Sequence, residues 1–283
     1  MISKNTIADL HIHSYYSDSS YTPSQIVEKL LQANIGIASL TDHNTIDGVK
    51  EFVNLASSAG ITAITGVEVS SKIGDMVYHI LAYGFNPDDP RIPAYVDPLL
   101  SMMKENNRKL IVRMSEDYDE INIPEYDEYS YDRTRGGWKF VNYICDKGIT
   151  EKPIDGLSFY SKYGFQLSNC DYPSPGEVIK EILSWGAFPV LAHPQGYFKE
   201  EFPSKESVSD LFNRFASSGL QGVECYHYRQ NDHMIQISVD WCTANNMIIT
   251  AGSDSHGSFV TENDIGSMRI PLSQLNLGHL TED

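Results

Sequence analysis

"DLHIHSYYSDSSYTP" (residues 9–23) decides how the rest of the chain is read. His11 and His13 stand two apart at the end of a short apolar run, "TIADLH" (6–11), that reads as a strand. On an extended backbone such a pair faces the same way, so both imidazoles can serve one cluster. Asp18 follows in the loop. Thr22 and Pro23 then open "TPSQIVEKLLQANI" (22–35), where Ile26, Leu30 and Ala33 recur at helical spacing. Thr22 suits the N-cap and Pro23 the first helical position. A strand that ends in histidines and passes through a loop into a helix is one unit of β/α architecture.

The pattern repeats outward from there. "GIASLTDH" (36–43), "ITAITGVEVS" (61–70), "MVYHILAYG" (76–84), "AFPVLAHP" (187–194), "LQGVECYH" (220–227) and "NMIITAGSDSHG" (246–257) read as six further strands. "TIDGVKEFVNLASSAG" (45–60, ending at Gly60), "ESVSDLFNRFASSG" (206–219) and "QISVDWCTANN" (236–246) read as helices among them. Seven strands with mostly helical connections predict an α/β protein with parallel pairing. The middle departs from this. From about Ala94 to Glu181 no segment reads as a strand, while "VDPLLSMMKENNRKLIVRMSEDYDE" (96–120) and "GWKFVNYICDKGI" (137–149) predict helices. The expectation is a barrel built from 1–95 and 181–283, with a helical insertion, 96–180, over its mouth.

At 283 residues, 41% hydrophobic and 21% charged, the chain has ample material for a buried core. A net charge of −17 excludes a broad basic face for duplex nucleic acid. No apolar run is long enough to cross a bilayer, and "MISKNTIADL" lacks the apolar stretch of a secretory signal. Cys145, Cys170, Cys225 and Cys242 are scattered without C-x-x-C spacing and read as reduced thiols of a cytoplasmic protein.

Of the nine histidines, six (His11, His13, His43, His79, His193 and His256) fall at the C-terminal ends of these strands or just beyond. The acids Glu68 and Asp254 occupy equivalent positions, and Asp18 lies in the first loop. In a closed β/α barrel those ends meet on one face. Imidazole with carboxylate suits divalent Zn, Mn or Fe, and the absence of cysteine argues against a structural zinc site. Nine donors exceed the needs of one ion, so two or three divalent metal ions are expected, making one spot of an acidic body locally positive. His227 also follows a strand end and is a candidate to line the pocket, whereas His233 and His279 read as ordinary. Asp42 either hydrogen-bonds a ligand histidine from behind or caps the helix that follows. Gly66, Gly252 and Gly257 read as positions of close backbone approach or positive φ. "YDRTRGGWKF" (131–140) places Arg133, Arg135 and Lys139 in an otherwise acidic stretch. They are either solvated charges opening a helix or a phosphate clamp leaning over the barrel mouth.

Taken together, "DLHIHSYYSD", "LTDHNTIDG", "GVEVSS", "HILAYG", "LAHP" and "GSDSHG", in this order and spacing, resemble the PHP (polymerase and histidinol phosphatase) phosphoesterases over about 1–95 and 181–283. The resemblance implies a distorted seven-stranded β/α barrel with a trinuclear site. Carried over by position, His11, His13, Glu68 and Asp254 would hold one metal. Glu68, bridging, would hold a second with His79 and His193, and Asp18, His43 and His256 would hold the third. Glu68, Asp254 and His193 are then the candidate catalytic residues, acting through a metal-activated hydroxide that attacks phosphorus. The helical insertion after "HILAYG" is similar to the subgroup acting on nucleoside 3′,5′-bisphosphates and short oligoribonucleotides, which makes a small phosphorylated nucleotide or short RNA the expected substrate. Arg133, Arg135, Lys139 and His227 are the candidate substrate contacts, with Arg135 expected on a phosphate that is not cleaved. That subgroup often shows R-x-H in the insertion, whereas this chain has Gly137 at the histidine position. The competing readings are a histidinol-phosphate-type phosphatase, an amidohydrolase-type C–N hydrolase, which also begins H-x-H, and a non-catalytic PHP module.

Overall fold

A computed structural model describes residues 3–281. The seven expected strands are all present: β1 (Ile7–Ile12), β2 (Ile35–Leu40), β3 (Thr62–Ile73), β4 (Met76–Tyr83), β5 (Phe188–Leu191), β6 (Gly222–His227) and β7 (Ile248–Gly252). A two-residue β8 (Ile270–Pro271), too short to carry a pattern, joins them in a sheet ordered β7-β6-β5-β4-β3-β2-β1-β8. All neighbours from β1 to β3 and from β5 to β7 are parallel. β4 alone among these seven runs backwards, antiparallel to both β3 and β5. The turn between β3 and β4 is only Gly74-Asp75, with Gly74 at φ 58°, so a tight hairpin replaces the crossover helix a parallel neighbour needs.

The sheet curls until its ends meet, but only at one rim. There Ile12 bridges Ser255 in parallel, the Asp254 amide donates to the His11 carbonyl at 2.7 Å, and the His13 amide donates to the Ser255 carbonyl at 3.0 Å. At the other end the C-terminal segment covers the gap, with β8 on β1 and Asn276 bridged to Ile249. Gly252 makes the closure possible. A Cβ there would run into His11 and the Glu224 carboxylate, so only glycine lets β7 approach β1 this closely. The result is the expected distorted barrel.

Helices cover the outside for legible local reasons. Pro23–Gln32 begins with a capping box between Thr22 and Gln25, with Pro23 inside the first turn. Pro175–Ser184 begins with the same device on Ser174 and Glu177. Gly60, at φ 78°, follows the end of Val49–Ser58 as expected. The long helix Arg91–Met114 starts five residues before the expected one and carries Pro98 within it. Its first half buries Val96, Leu99 and Met103 with the barrel's outer core, and its second half buries Leu110, Ile111 and Met114 in a separate cluster with Phe140, Tyr143 and Ile144. Among the described residues no strand lies between Tyr83 and Phe188.

Candidate metal centre

Parallel strands place their C-terminal ends at the rim where β1 and β7 meet. His11 lies on β1 and His13 just after it, His43 three residues past β2, His193 two past β5, and Asp254 and His256 just past β7. Glu68 sits within β3, which runs on beyond the rim. His79 corrects one expectation. It is not at the end of its strand but in the first half of it, because β4 is reversed and its beginning shares the rim with the other strands' ends. Ser70 of β3 pairs with it.

The nine side chains converge. Glu68 Oε2 lies 3.3 Å from His11 Nε2, 3.3 Å from His13 Nε2 and 2.9 Å from His43 Nδ1. Its other oxygen, Oε1, lies 2.8 Å from His79 Nδ1 and 3.0 Å from His193 Nε2. Asp254 Oδ1 is 3.1 Å from His13 Nε2 and 3.5 Å from His11 Nε2. Asp18 faces His256 Nε2 at 3.4 Å through Oδ1 and His43 Nε2 at 3.9 Å through Oδ2. Three overlapping groups have donor atoms close enough to surround one ion each: His13, Asp18, His43 and His256; His11, His13 and Glu68; and His43, Glu68 and His79.

The donor set fits divalent metal. His11 and His13 are fully buried, and His11 Nε2, both ring nitrogens of His13, Asp18 Oδ1 and Glu68 Oε2 are buried without a hydrogen-bond partner. Such orphaned groups are costly and rare unless a ligand completes them. The electrostatics agree. Burial by itself would push the Glu68 carboxyl up, but His79, His43 and His11 outweigh it and hold it well below the usual range. Asp254 is held down in the same way by His11 and His256. Burial disfavours the charged form of His256, yet Asp18 and Asp254 raise it to about 9. The cluster therefore attracts positive charge, whether carried by a proton or by a metal ion. Strain marks the same place. His193 at φ 27° and Asp254 at φ 52° are non-glycine residues in the left-handed region, which the surrounding contacts must enforce. The Asn263 amide does so at Asp254, donating to its carbonyl at 2.7 Å.

Glu224 was not singled out from sequence. Fully buried on β6, it accepts from His11 Nδ1 at 3.0 Å and from the His193 backbone amide at 2.8 Å. The first contact fixes the His11 tautomer, turning the Nε2 lone pair toward Glu68 and Asp254. The signal that could have found it is an acid in the middle of the apolar run "GVECYH". His227 plays a similar part instead of lining the cavity. The Arg229 amide donates to its Nδ1, which leaves Nε2 to donate to Asp254 Oδ2 at 3.2 Å. Asp42 does neither thing expected of it. It accepts from the Ser14 amide, the Ser14 hydroxyl and the Ser17 hydroxyl, and so pins the loop that carries Asp18.

A cavity of about 310 Å³ opens over the cluster. Trp138, Tyr160, Tyr172 and Tyr228 wall it, and Arg229 is its one lysine or arginine among the described residues. Arg133, Arg135 and Lys139 are not among the residues lining it. Arg135 pairs with Asp146 at 2.8 Å. Lys139 donates to the Asp127 carbonyl. Arg133 donates to the carbonyls of Tyr16 at 3.0 Å and Ser17 at 2.9 Å, and the Gly137 amide donates to that of Asp18 at 2.7 Å. This stretch braces the Asp18 loop. Arg229, in "HYRQND" (227–232), is not among the residues the sequence singles out.

A distorted β/α barrel with a buried histidine–carboxylate cluster at its strand ends defines a metal-dependent hydrolase. The PHP domain family matches residues 9–167, more than half of the chain, and the chain belongs to that family as a metal-dependent phosphoesterase. Three curated relatives are similar along most of their length. The phosphoribosyl 1,2-cyclic phosphate 1,2-diphosphodiesterase of Eggerthella lenta is 25% identical over 94% of this chain and 99% of its own. The 5′-3′ exoribonuclease of Haemophilus influenzae is 26% identical over 88% and 89%, and the 3′,5′-nucleoside bisphosphate phosphatase of Chromobacterium violaceum 24% over 91% and 90%. Among solved structures, a Bifidobacterium adolescentis protein described as a metal-dependent phosphoesterase superposes with a TM-score of 0.79 at 21% identity, covering 95% of this chain and 94% of its own. An amidohydrolase from Chromobacterium violaceum, with bound sulfate and no metal, superposes at 0.73 with 21% identity, covering 94% and 93%. Among the described residues no helix is long and apolar enough to cross a membrane.

Proposed function

We propose that the chain hydrolyses phosphate esters of small nucleotides, with nucleoside 3′,5′-bisphosphates and short oligoribonucleotides as the substrate class. One observation carries the reading: nine convergent donors, several of them buried without partners, open onto a cavity with aromatic walls and a single arginine. His11, His13, Glu68 and Asp254 would hold one metal, Glu68, His79 and His193 a second, and Asp18, His43 and His256 a third, drawn from Mn, Zn or Fe. Bound there, divalent ions supply the Lewis acidity that makes hydroxide available near neutral pH and offsets charge on the phosphoryl oxygens. The chain's own residues do the rest. Glu224 and His227 hold His11 and Asp254 in register. Arg229, fixed by a 2.6 Å bond from its Nε to the Tyr228 hydroxyl, takes the phosphate that is not cleaved, the role expected of Arg135. Trp138, Tyr160 and Tyr172 give a base or sugar an apolar wall. The activity of the two nucleotide-processing relatives supports the reading. The barrel of 1–95 and 181–283 serves as the catalytic body and 96–180 as the part that shapes substrate choice. The protein works in the cytoplasm, where its four free thiols stay reduced.

The test is phosphate release by metal-reconstituted protein on a nucleoside 3′,5′-bisphosphate, the matching monophosphate, histidinol phosphate, a 5′-phosphorylated trinucleotide and an amide panel. Nucleotide substrates should dominate. Arg229→Ala should lower kcat/KM on the bisphosphate about ten- to a hundredfold more than on the monophosphate. Preference for histidinol phosphate, or turnover of amides alone, would falsify the substrate assignment.

A further inference from the structure

A second and larger cavity, about 670 Å³, adjoins the first and shares Trp138 with it. Lys104, Arg108, Arg133 and Lys139 line it against only two acids, Glu105 and Asp127. In a chain of net charge −17 this is a local inversion of sign. Asp127 compensates Arg108, whose Nε and NH2 fork onto it at 2.7 and 2.8 Å. Arg133 and Lys139 donate only to backbone carbonyls, which position the cations without cancelling their charge. Lys104 has no hydrogen bond or ion pair among the described residues. Partial burial lowers its pKa and the nearby Arg133 charge lowers it further, against the weaker opposing pull of Asp47 and Asp97, so an anion placed between Lys104 and Arg133 would relieve a standing repulsion. Aromatic rings supply the other half of the surface. Tyr129 and Tyr131 lie 9° from parallel, their planes fixed by hydroxyl bonds to Asp146 and to the Gly137 carbonyl. Trp138, at the junction, has its ring centroid 6.2 Å from that of His43 in the metal cluster.

Cations with uncancelled charge, interleaved with fixed aromatic rings, suit a chain that carries a phosphate and a flat base at every step. We propose that this cavity is the track for the nucleotide chain beyond the reacting phosphate, holding a short single-stranded oligoribonucleotide through its phosphodiesters at Lys104, Arg133 and Lys139 and through its bases against the tyrosines. The track rests on the nucleotide reading above and deepens it by saying where the chain beyond the reacting phosphate is held. It also separates two tasks. The metal rim acts on one phosphate, and the helical stretch measures what is attached to it.

The experiment reads binding and turnover separately on the metal-loaded, full-length protein. The probe is a fluorescein-labelled, 5′-phosphorylated pentaribonucleotide with phosphorothioate linkages, followed by anisotropy, and competition is measured with a nucleoside 3′,5′-bisphosphate, the unlabelled pentanucleotide and tripolyphosphate. The pentanucleotide should bind about tenfold or more tighter than the bisphosphate, with a steeper salt dependence. Lys104→Glu, on an exposed helix face, should remove most of that advantage and shift bisphosphate affinity less than about twofold. Equal affinity for the two ligands would overturn the track, as would a Lys104→Glu loss equal on both, or displacement by tripolyphosphate as effective as by the unlabelled pentanucleotide. Lys104-dependent binding without any nucleotide turnover would support the track and overturn the reaction. Nucleotide turnover with no chain-length gain in binding would do the reverse.

Discussion

The metal rim and the basic stretch at 131–140 both concentrate chemistry in few residues, and in sequence both invite a functional reading. The structure treats them oppositely. At the rim, buried nitrogens and oxygens face one another with no hydrogen-bond partner, so the protein interior leaves them a task only a ligand can complete. In the basic stretch, Arg135 is spent on Asp146, and Arg133 on the backbone of the loop that carries Asp18. A charge already cancelled by an opposite charge is explained by the fold. A charge or donor atom left uncancelled asks for a second molecule. By that criterion Glu68 and Lys104 are informative residues, and Arg135 is not.

The sharpest way to break the comparison is at Glu68, whose two oxygens face different halves of the cluster. Glu68→Ala should lower kcat/KM by several orders of magnitude, and elemental analysis of protein purified without chelator should show fewer metal equivalents than in wild type. Near-normal turnover at full metal occupancy would undo the assignment of the rim. Glu224→Gln is the next test. The amide keeps the shape but changes what His11 Nδ1 meets, so activity or metal affinity should fall about ten- to a hundredfold while the melting temperature moves little. An unchanged metal titration would reduce Glu224 to a buried acid with no hold on the cluster. The smallest effect is expected at the other pole. The Arg135–Asp146 pair is at the surface, where such pairs contribute about 0–1 kcal/mol, so Arg135→Ala should leave kcat/KM on mono- and bisphosphates within about twofold. A selective loss on bisphosphates would return Arg135 to the substrate and erase the contrast.

Several features of the fold were legible because their causes are local. The Thr22–Pro23 helix start, the Gly60 stop and the seven strands follow from periodicity and capping within a few residues. The convergence of side chains at the rim has the same kind of signal. His11 with His13, and Asp254 with His256, are pairs two apart at the ends of apolar runs, and the rim brings both pairs together. The same reasoning misjudged His79, because nothing within "MVYHILAYG" says which way the strand runs. It passed over Glu224 and Arg229 and did not foresee the pairing of Arg135 with Asp146, because such partners are not supplied by sequence spacing.

The sequence by itself determined the residue types at the rim, their period-two pairing and the units of β/α architecture that carry them. Only the tertiary structure decided that β4 is reversed, that Gly252 lets β7 close on β1, that Glu224 turns His11 inward, and that the basic stretch braces a loop beside a second cavity. The physical reason is range. Backbone periodicity and helix capping act over a few residues along the chain. Hydrogen-bond satisfaction, burial and ion pairing act between groups such as Glu224 and His11, or Arg133 and Tyr16, that meet only once the barrel has closed.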